Sequence, residues 1–161
     1  MIKLVVFDFD GVFTDGKFYF GQDNVVRKSY NAKDSYALKL LKSQNVKTGI
    51  ITNDTVVSIQ DAPHIFNRLD RVSIGEHDSK LNVLICWMKE YDISYDNVAY
   101  IGDDLPDIEI LKKVKISGCP NDAVDEVKNV CNYKCNKNGG ECAVREFVDY
   151  IIKLNKEHIV D

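Results

Sequence analysis

Two clusters of aspartate stand where apolar runs end. Val5-Val6-Phe7 leads into Asp8-Phe9-Asp10-Gly11, and Val98-Ala99-Tyr100-Ile101 leads into Gly102-Asp103-Asp104-Leu105-Pro106-Asp107. Carboxylates gathered at the ends of buried segments repel one another and are costly to desolvate, so such a gathering calls for a cation. Hard oxygen ligands favour magnesium. Aspartate also caps helices and forms turns, and one cluster alone would read equally well that way; two clusters at strand ends favour the metal. Thr52-Asn53 closes a third apolar run and offers a hydroxyl and an amide to an oxyanion. Lys80 opens a segment cued as a helix by Asp78-Ser79, where a cation opposes the helix dipole. Alone it reads as a solvated surface lysine. An aspartate nucleophile, magnesium, a hydroxyl donor and a lysine together are the equipment of phosphoryl transfer through an aspartyl-phosphate.

These residues need a scaffold that brings strand ends together. Ile2 to Phe9 reads as a first buried strand. Phe18-Tyr19-Phe20 and Val25-Val26-Arg27-Lys28 flank the turn-rich Gly21-Gln22-Asp23-Asn24, which predicts a β-hairpin over about 17–29. Asp34 is the expected N-cap of a helix carrying Ala37, Leu38, Leu40 and Leu41. Lys47 to Thr52 is a second buried strand, and Thr55 to about Phe66 reads as a helix disturbed by Pro63. Val72-Ser73-Ile74 is a short strand, and Ser79 to Tyr91 carries Leu81, Leu84, Ile85 and Met88 at helical spacing. Val98 to Ile101 and the weaker Lys115 to Ser117 complete the strands. Pro106 suits a first helical turn, and Glu141 to Leu154 is a final amphipathic helix. The β-α-β-α rhythm predicts an α/β fold, a doubly wound, Rossmann-like parallel sheet with helices on both faces. In such a sheet, sites form at the carboxyl ends of the strands. The 161 residues read as one domain without repeat, linker or large cap insertion.

The composition fits a soluble globular chain, with 45% hydrophobic and 29% charged residues. A net charge of −4 argues against a nucleic-acid or anionic-membrane binder, while leaving room for a small anionic substrate in a local field. No apolar stretch reaches the ~20 residues of a membrane helix, and the first residues lack a signal-peptide pattern; a cytoplasmic location is expected. The five cysteines include no C-x-x-C pair. Cys131, Cys135 and Cys142 can be imagined around zinc, but no histidine stands near to complete a site, and reduced structural thiols are the preferred reading.

The order of motifs adds a resemblance. "DFDGVFTDG", "IITN", the lysine of "HDSKL" and "IGDDLPD" resemble the four signature motifs of the haloacid dehalogenase superfamily of phosphatases. "DGVFTDGKFYF", "NAKDSYALKLL", "VAYIGDDLPD" and "GGECAVREF" resemble the 3-deoxy-manno-octulosonate 8-phosphate phosphatase family. That family includes relatives acting on nine-carbon sialic-type acids and the C-terminal module of some acylneuraminate cytidylyltransferases. The likeness runs over about residues 3–152. It implies Asp8 as nucleophile and Asp10 as general acid/base. It implies magnesium held by Asp8, the Asp10 backbone carbonyl and Asp103, with Asp104 and Asp107 supporting that shell. It implies phosphate binding by Thr52, Asn53 and Lys80, and possible substrate contacts from Lys33, Gly139 and Gly140. The expected substrate is a small phosphorylated sugar acid, with no nucleic acid and no membrane as partner. The expected assembly is a homotetramer built through the hairpin, in which a neighbouring subunit covers the site.

Departures from the family pattern fall in the substrate-reading part. Lys33-Asp34-Ser35 stands where Arg-Asp-Gly is usual, and Thr52-Asn53-Asp54 replaces a cation with an anion. Glu141 stands where arginine is usual and Cys142 where glycine is usual. The phosphatase reading survives these changes, while an unrelated sugar phosphate remains open as substrate. A catalytically silent oligomerisation module is a further alternative, opposed by retention of Asp8, Asp10, Asp103 and Asp107. A receiver-type signalling domain would place its acidic pair after the first strand and its phosphoacceptor after the third; the order here argues against it.

Overall fold

The computed structural model describes residues 1–23, 25–54, 62–75 and 79–157. In chain order its elements are β1 (Leu4–Phe7), β2 (Tyr19–Phe20), β3 (Val26–Arg27), α1 (Ala32–Ser43), β4 (Lys47–Thr52), α2 (Pro63–Phe66), β5 (Arg71–Ile74) and α3 (Lys80–Tyr91), followed by β6 (Val98–Ile101), α4 (Ile108–Leu111), β7 (Ile116–Cys119), α5 (Asp125–Val130), β8 (Tyr133–Lys134) and α6 (Ala143–Glu157). Six strands form one parallel sheet in the order β5-β4-β1-β6-β7-β8, and β2 pairs with β3 as a separate antiparallel hairpin. Apolar residues on every position of β1 account for its place at the centre, since both of its faces are covered. Val5, Phe7, Ile50 and Ile101 pack toward α1 and α6 on one side. Leu4, Val6, Ile51 and Tyr100 pack with Leu84 and Trp87 of α3 on the other. This is the doubly wound α/β architecture predicted by the strand-helix rhythm.

The order of the strands decides where chemistry can sit. The chain leaves β1 toward β4 and β5 on one side, then crosses to β6, β7 and β8 on the other. That reversal opens a crevice at the carboxyl end of β1. Phe7 is in register with both Ile50 and Ile101, so the residues that follow β1, β4 and β6 emerge side by side.

Several local expectations are corrected. The first strand is shorter than Ile2–Phe9, because the chain turns away at Asp8, whose N–H still bonds Ile101 O at 3.0 Å. Asn31, not Asp34, caps α1, accepting from Lys33 N at 2.8 Å. Asp34 is buried one turn in and serves a different helix. Its carboxylate accepts from Cys142 N at 3.1 Å and Arg145 N at 2.8 Å, which satisfies the free N–H groups that open α6. The helix expected over 55–66 is seen only as Pro63–Phe66; 55–61 lie outside the described residues. The last predicted strand lies at Ile116–Cys119, and α5 and β8 had no forecast. The cysteines are free thiols, and among the described residues no cysteine belongs to a metal-competent cluster.

Candidate active site

Gly11 sets the turn that follows β1. Its φ is +73°, and a Cβ there would lie 1.9 Å from Asp103 Oδ2, so only glycine lets the two acidic loops approach. Asp8, Asp103 and Asp107 each place a carboxylate oxygen within 4.8 Å of the others. Lys80 Nζ lies between them, 2.9 Å from Asp8 Oδ2 and 2.8 Å from Asp107 Oδ1. The lysine that opposes the dipole of α3 is thus held by two buried carboxylates. Ser79, the residue before it, directs its hydroxyl to Glu109 rather than to the helix N–H groups.

The charge balance is incomplete. Burial, then the Asp107 carboxylate, pushes Asp8 up to about 7 despite the opposing pull of Lys80. Burial, then Asp8, Asp107 and Asp104, pushes Asp103 up to about 8. Burial pulls Lys80 down, but Asp8 and Asp107 outweigh it and hold the ammonium above the ordinary lysine value. One buried lysine does not neutralise three carboxylates, and the donor set, all hard oxygen, fits a divalent cation. Asp107 is the least available of the three. Its oxygens already accept from Lys80 Nζ, from Tyr100 OH at 2.6 Å and from the amides of Asp103 and Asp104 at 3.0 and 3.3 Å. It orients Lys80 and the Asp103 loop. Asp104 is exposed and caps the short turn Leu105–Asp107, accepting from Leu105 N at 2.7 Å.

Asp10 is held separately. Thr14 Oγ1 donates to its Oδ1 at 3.2 Å and Lys28 Nζ to its Oδ2 at 2.8 Å. Thr14 also accepts from the amides of Gly11 and Gly16, both at 3.1 Å, and so fixes the whole loop. Thr52 is buried and Asn53 exposed at the end of β4, and both line the cleft of about 380 Å³ that holds Asp8, Asp10, Lys80 and Asp103. The two aspartate clusters, Thr52-Asn53 and Lys80 therefore converge.

Three predicted substrate contacts do not. Lys33 is exposed and lines another cavity, on the surface shared by α1 and α6, together with Glu141, Cys142 and Arg145. Gly139 packs under the first loop, where a Cβ would meet Gly11 O at 1.8 Å, and Gly140 N bonds Val12 O at 3.1 Å. These glycines support the loop from behind instead of facing the cleft. Sequence reading also missed Thr14, Lys28 and Tyr100. Only the alternation along β6, which turns Tyr100 to the same side as Val98, gave any signal for one of them.

Comparison with known proteins places this geometry. The chain is 30% identical to the 3-deoxy-D-manno-octulosonate 8-phosphate phosphatase of Salmonella typhi over 155 residues, 94% of this chain and 79% of that one. The chain belongs to the haloacid dehalogenase-like hydrolases. The family model of that description matches residues 74–148. The crystal structure of the Moraxella catarrhalis 3-deoxy-D-manno-octulosonate 8-phosphate phosphatase, in complex with magnesium ion, phosphate ion and KDO, superposes with a TM-score of 0.85. It is 29% identical, with 94% of this chain and 86% of that one covered. An N-acylneuraminate cytidylyltransferase of Danio rerio is 29% identical over 98% of this chain, which spans only 36% of that longer relative. Within the haloacid dehalogenase-like hydrolases the chain is a phosphatase, with the same α/β fold as its solved relatives. No helix among the described residues is long and apolar enough to cross a membrane.

Proposed function

We propose that the protein is a magnesium-dependent phosphomonoester hydrolase that acts through an aspartyl-phosphate on an 8- or 9-phosphorylated 2-keto-3-deoxy sugar acid. The observation that carries the chemistry is Asp8. It is a buried carboxylate at the sheet's switch point, facing a buried lysine at 2.9 Å, with Asp10 two residues on and independently held. Asp8, the Asp10 backbone carbonyl and Asp103 would hold magnesium, which supplies charge neutralisation to a phosphoryl group and to the attacking carboxylate.

Asp8 attacks phosphorus as the bond to the sugar oxygen breaks, and the Asp10 carboxyl gives its proton to that departing oxygen. Asp10, now ionised, takes a proton from water as the water oxygen attacks the aspartyl-phosphate. The bond between phosphorus and Asp8 breaks, and inorganic phosphate leaves with both carboxyl groups regenerated. Lys80 offsets phosphoryl charge throughout, and Thr52 with the Asn53 amide binds the phosphoryl oxygens. Phe18, an exposed hairpin residue that lines the cleft, shields one side of it. The sugar-acid class rests on the similarity to 3-deoxy-D-manno-octulosonate 8-phosphate phosphatases. A cytoplasmic site of action accords with the five unpaired thiols.

A second substrate reading has its own support. Lys33 lies outside the cleft, while Asp54 lines it and pairs with Lys28. The lining therefore carries fewer available cations than a carboxylate-reading site would need, which favours a phosphorylated sugar without an acid group. Phosphate release over a panel of sugar phosphates, with and without magnesium, separates the readings. The native protein is expected to release phosphate from octulosonate or nonulosonate phosphates only with magnesium, and Asp8→Asn to lose at least about a thousandfold. Release from hexose phosphates alone would replace the substrate, and no metal-dependent release from any phosphate would overturn the enzyme reading.

A further inference from the structure

Lys28 belongs to none of the sequence motifs, yet from the end of the hairpin its side chain reaches Asp10 and Asp54, two residues that line the cleft. Only 10% of that side chain is exposed. Its ammonium donates to Asp10 Oδ2 at 2.8 Å and pairs with the carboxylate of Asp54. It also lies over the rings of Phe18, at 5.3 Å, and Phe9, at 5.9 Å. A cation so far from water needs such compensation, and the Asp54 carboxylate, an accepting oxygen of Asp10 and two aromatic faces provide it. The arrangement also joins three separate pieces of chain: the loop after β1, the end of β4 and the hairpin. Asp10 is gripped at both oxygens, by Thr14 from its own loop and by Lys28 from outside it. A carboxyl free to turn about its side-chain bonds would seldom face a departing oxygen. One clamped on both sides is already aimed.

We propose that Lys28 is a positioning residue for Asp10, holding the proton-donating carboxyl toward the leaving group and tying its placement to the posture of the hairpin. The inference rests on the aspartyl-phosphate reading of the site. Its signature is a dependence on leaving-group acidity. A nitrophenolate departs readily without a proton, whereas phenolate and alkoxide depart slowly unless the oxygen is protonated. The ratio kcat/KM reports the steps up to that departure, so water attack on the aspartyl-phosphate does not enter it.

The test compares kcat/KM for p-nitrophenyl phosphate, phenyl phosphate and a primary alkyl phosphate with magnesium, in the native protein and Lys28→Met. The loss in Lys28→Met is expected to be at least about tenfold greater for phenyl and alkyl phosphate than for p-nitrophenyl phosphate. Equal losses on all three overturn the positioning role while leaving the phosphatase reading intact. Absence of release by the native protein from every probe overturns the phosphatase reading, and the role of Lys28 with it. Should Lys28→Met fail to fold, Lys28→Ala, which also removes the donor toward Asp10, is read on the same three probes. Its loss must show the same ordering, and a folded variant without it refutes the proposal.

Discussion

At the scale of single residues, the site is built from groups whose neighbours decide their task. Asp8 and Asp107 are both buried and both touch Lys80, yet their surroundings differ. Asp107 receives a phenol, an ammonium and two amides, so its capacity to accept is filled. Asp8 receives one amide, from Phe9 at 2.7 Å, and Lys80, which leaves lone pairs for a cation or phosphorus. The same logic identifies a residue that is strained instead of chemical. Cys142 has φ of +79°, a left-handed conformation unfavourable for a side chain with a Cβ. Its N–H must stay there to reach Asp34. Cys142→Gly keeps that bond and removes the strain, partly offset by the freedom glycine adds to the unfolded chain. The expected result is a gain of about 1 kcal/mol, read as a rise of about 2–4 °C in Tm. A lower Tm would show that the thiol contributes packing that outweighs the backbone strain.

Among the elements, the hairpin is the least explained by this chain alone. Its strands have two residues each, too few for independent stability. It is held by Lys28, by the contact of Tyr19 with Asp15 and by the bridge between Thr14 and Tyr30. Yet it turns Phe18, Tyr19, Phe20 and Val25 to solvent, with Phe20 at 76% exposure. Aromatic residues gathered on a short, anchored hairpin form the kind of exposed apolar patch that subunit interfaces bury. We expect a homotetramer in light scattering, and Phe20→Ser to shift it toward lower mass with an unchanged far-UV spectrum. A native protein that is already a monomer would refute the assembly. The elements also show what sequence could and could not tell. Strands β1, β4 and β6 were legible because buried parallel strands are continuous apolar runs, and α3 because its leucines repeat at helical spacing. The segment after β7 was not, since a six-residue helix and a two-residue strand carry too little periodicity to register. Lys28 was illegible for another reason. It meets Asp10 across 18 residues of hairpin, and nothing in its local sequence marks it as buried. Lys33, Gly139 and Gly140 were drawn toward the site by resemblance, which gives a residue's neighbourhood in the chain but not the side of a loop it faces.

Over the whole molecule, the acidic crevice couples folding to pH and to the cation. In the metal-free fold Asp8 is raised to about 7 and Asp103 to about 8, whereas both lie near 3.8 when the chain is unfolded. Between those limits the folded state holds protons that the unfolded state has released. Stability from these groups is therefore greatest below about pH 4 and falls as pH rises toward 8. Asp34, raised to about 6 chiefly by burial, adds to the same trend at the lower end of that window. A divalent cation reverses the sign of the problem, because it binds the ionised carboxylates of the fold and is absent from the unfolded chain. At low pH it must displace protons from Asp8 and Asp103; above about pH 8 it displaces almost none. Millimolar magnesium is accordingly expected to raise Tm at least about twice as much at about pH 8 as at about pH 5.5. In Asp103→Asn the magnesium effect should largely vanish, because the cluster loses one of its charged ligands, while the metal-free protein becomes less sensitive to alkali. Thermal scans of the two proteins over that range, with and without magnesium, supply the measurement. A magnesium effect that is the same at both pH values would mean that the cation binds elsewhere than at these two carboxylates.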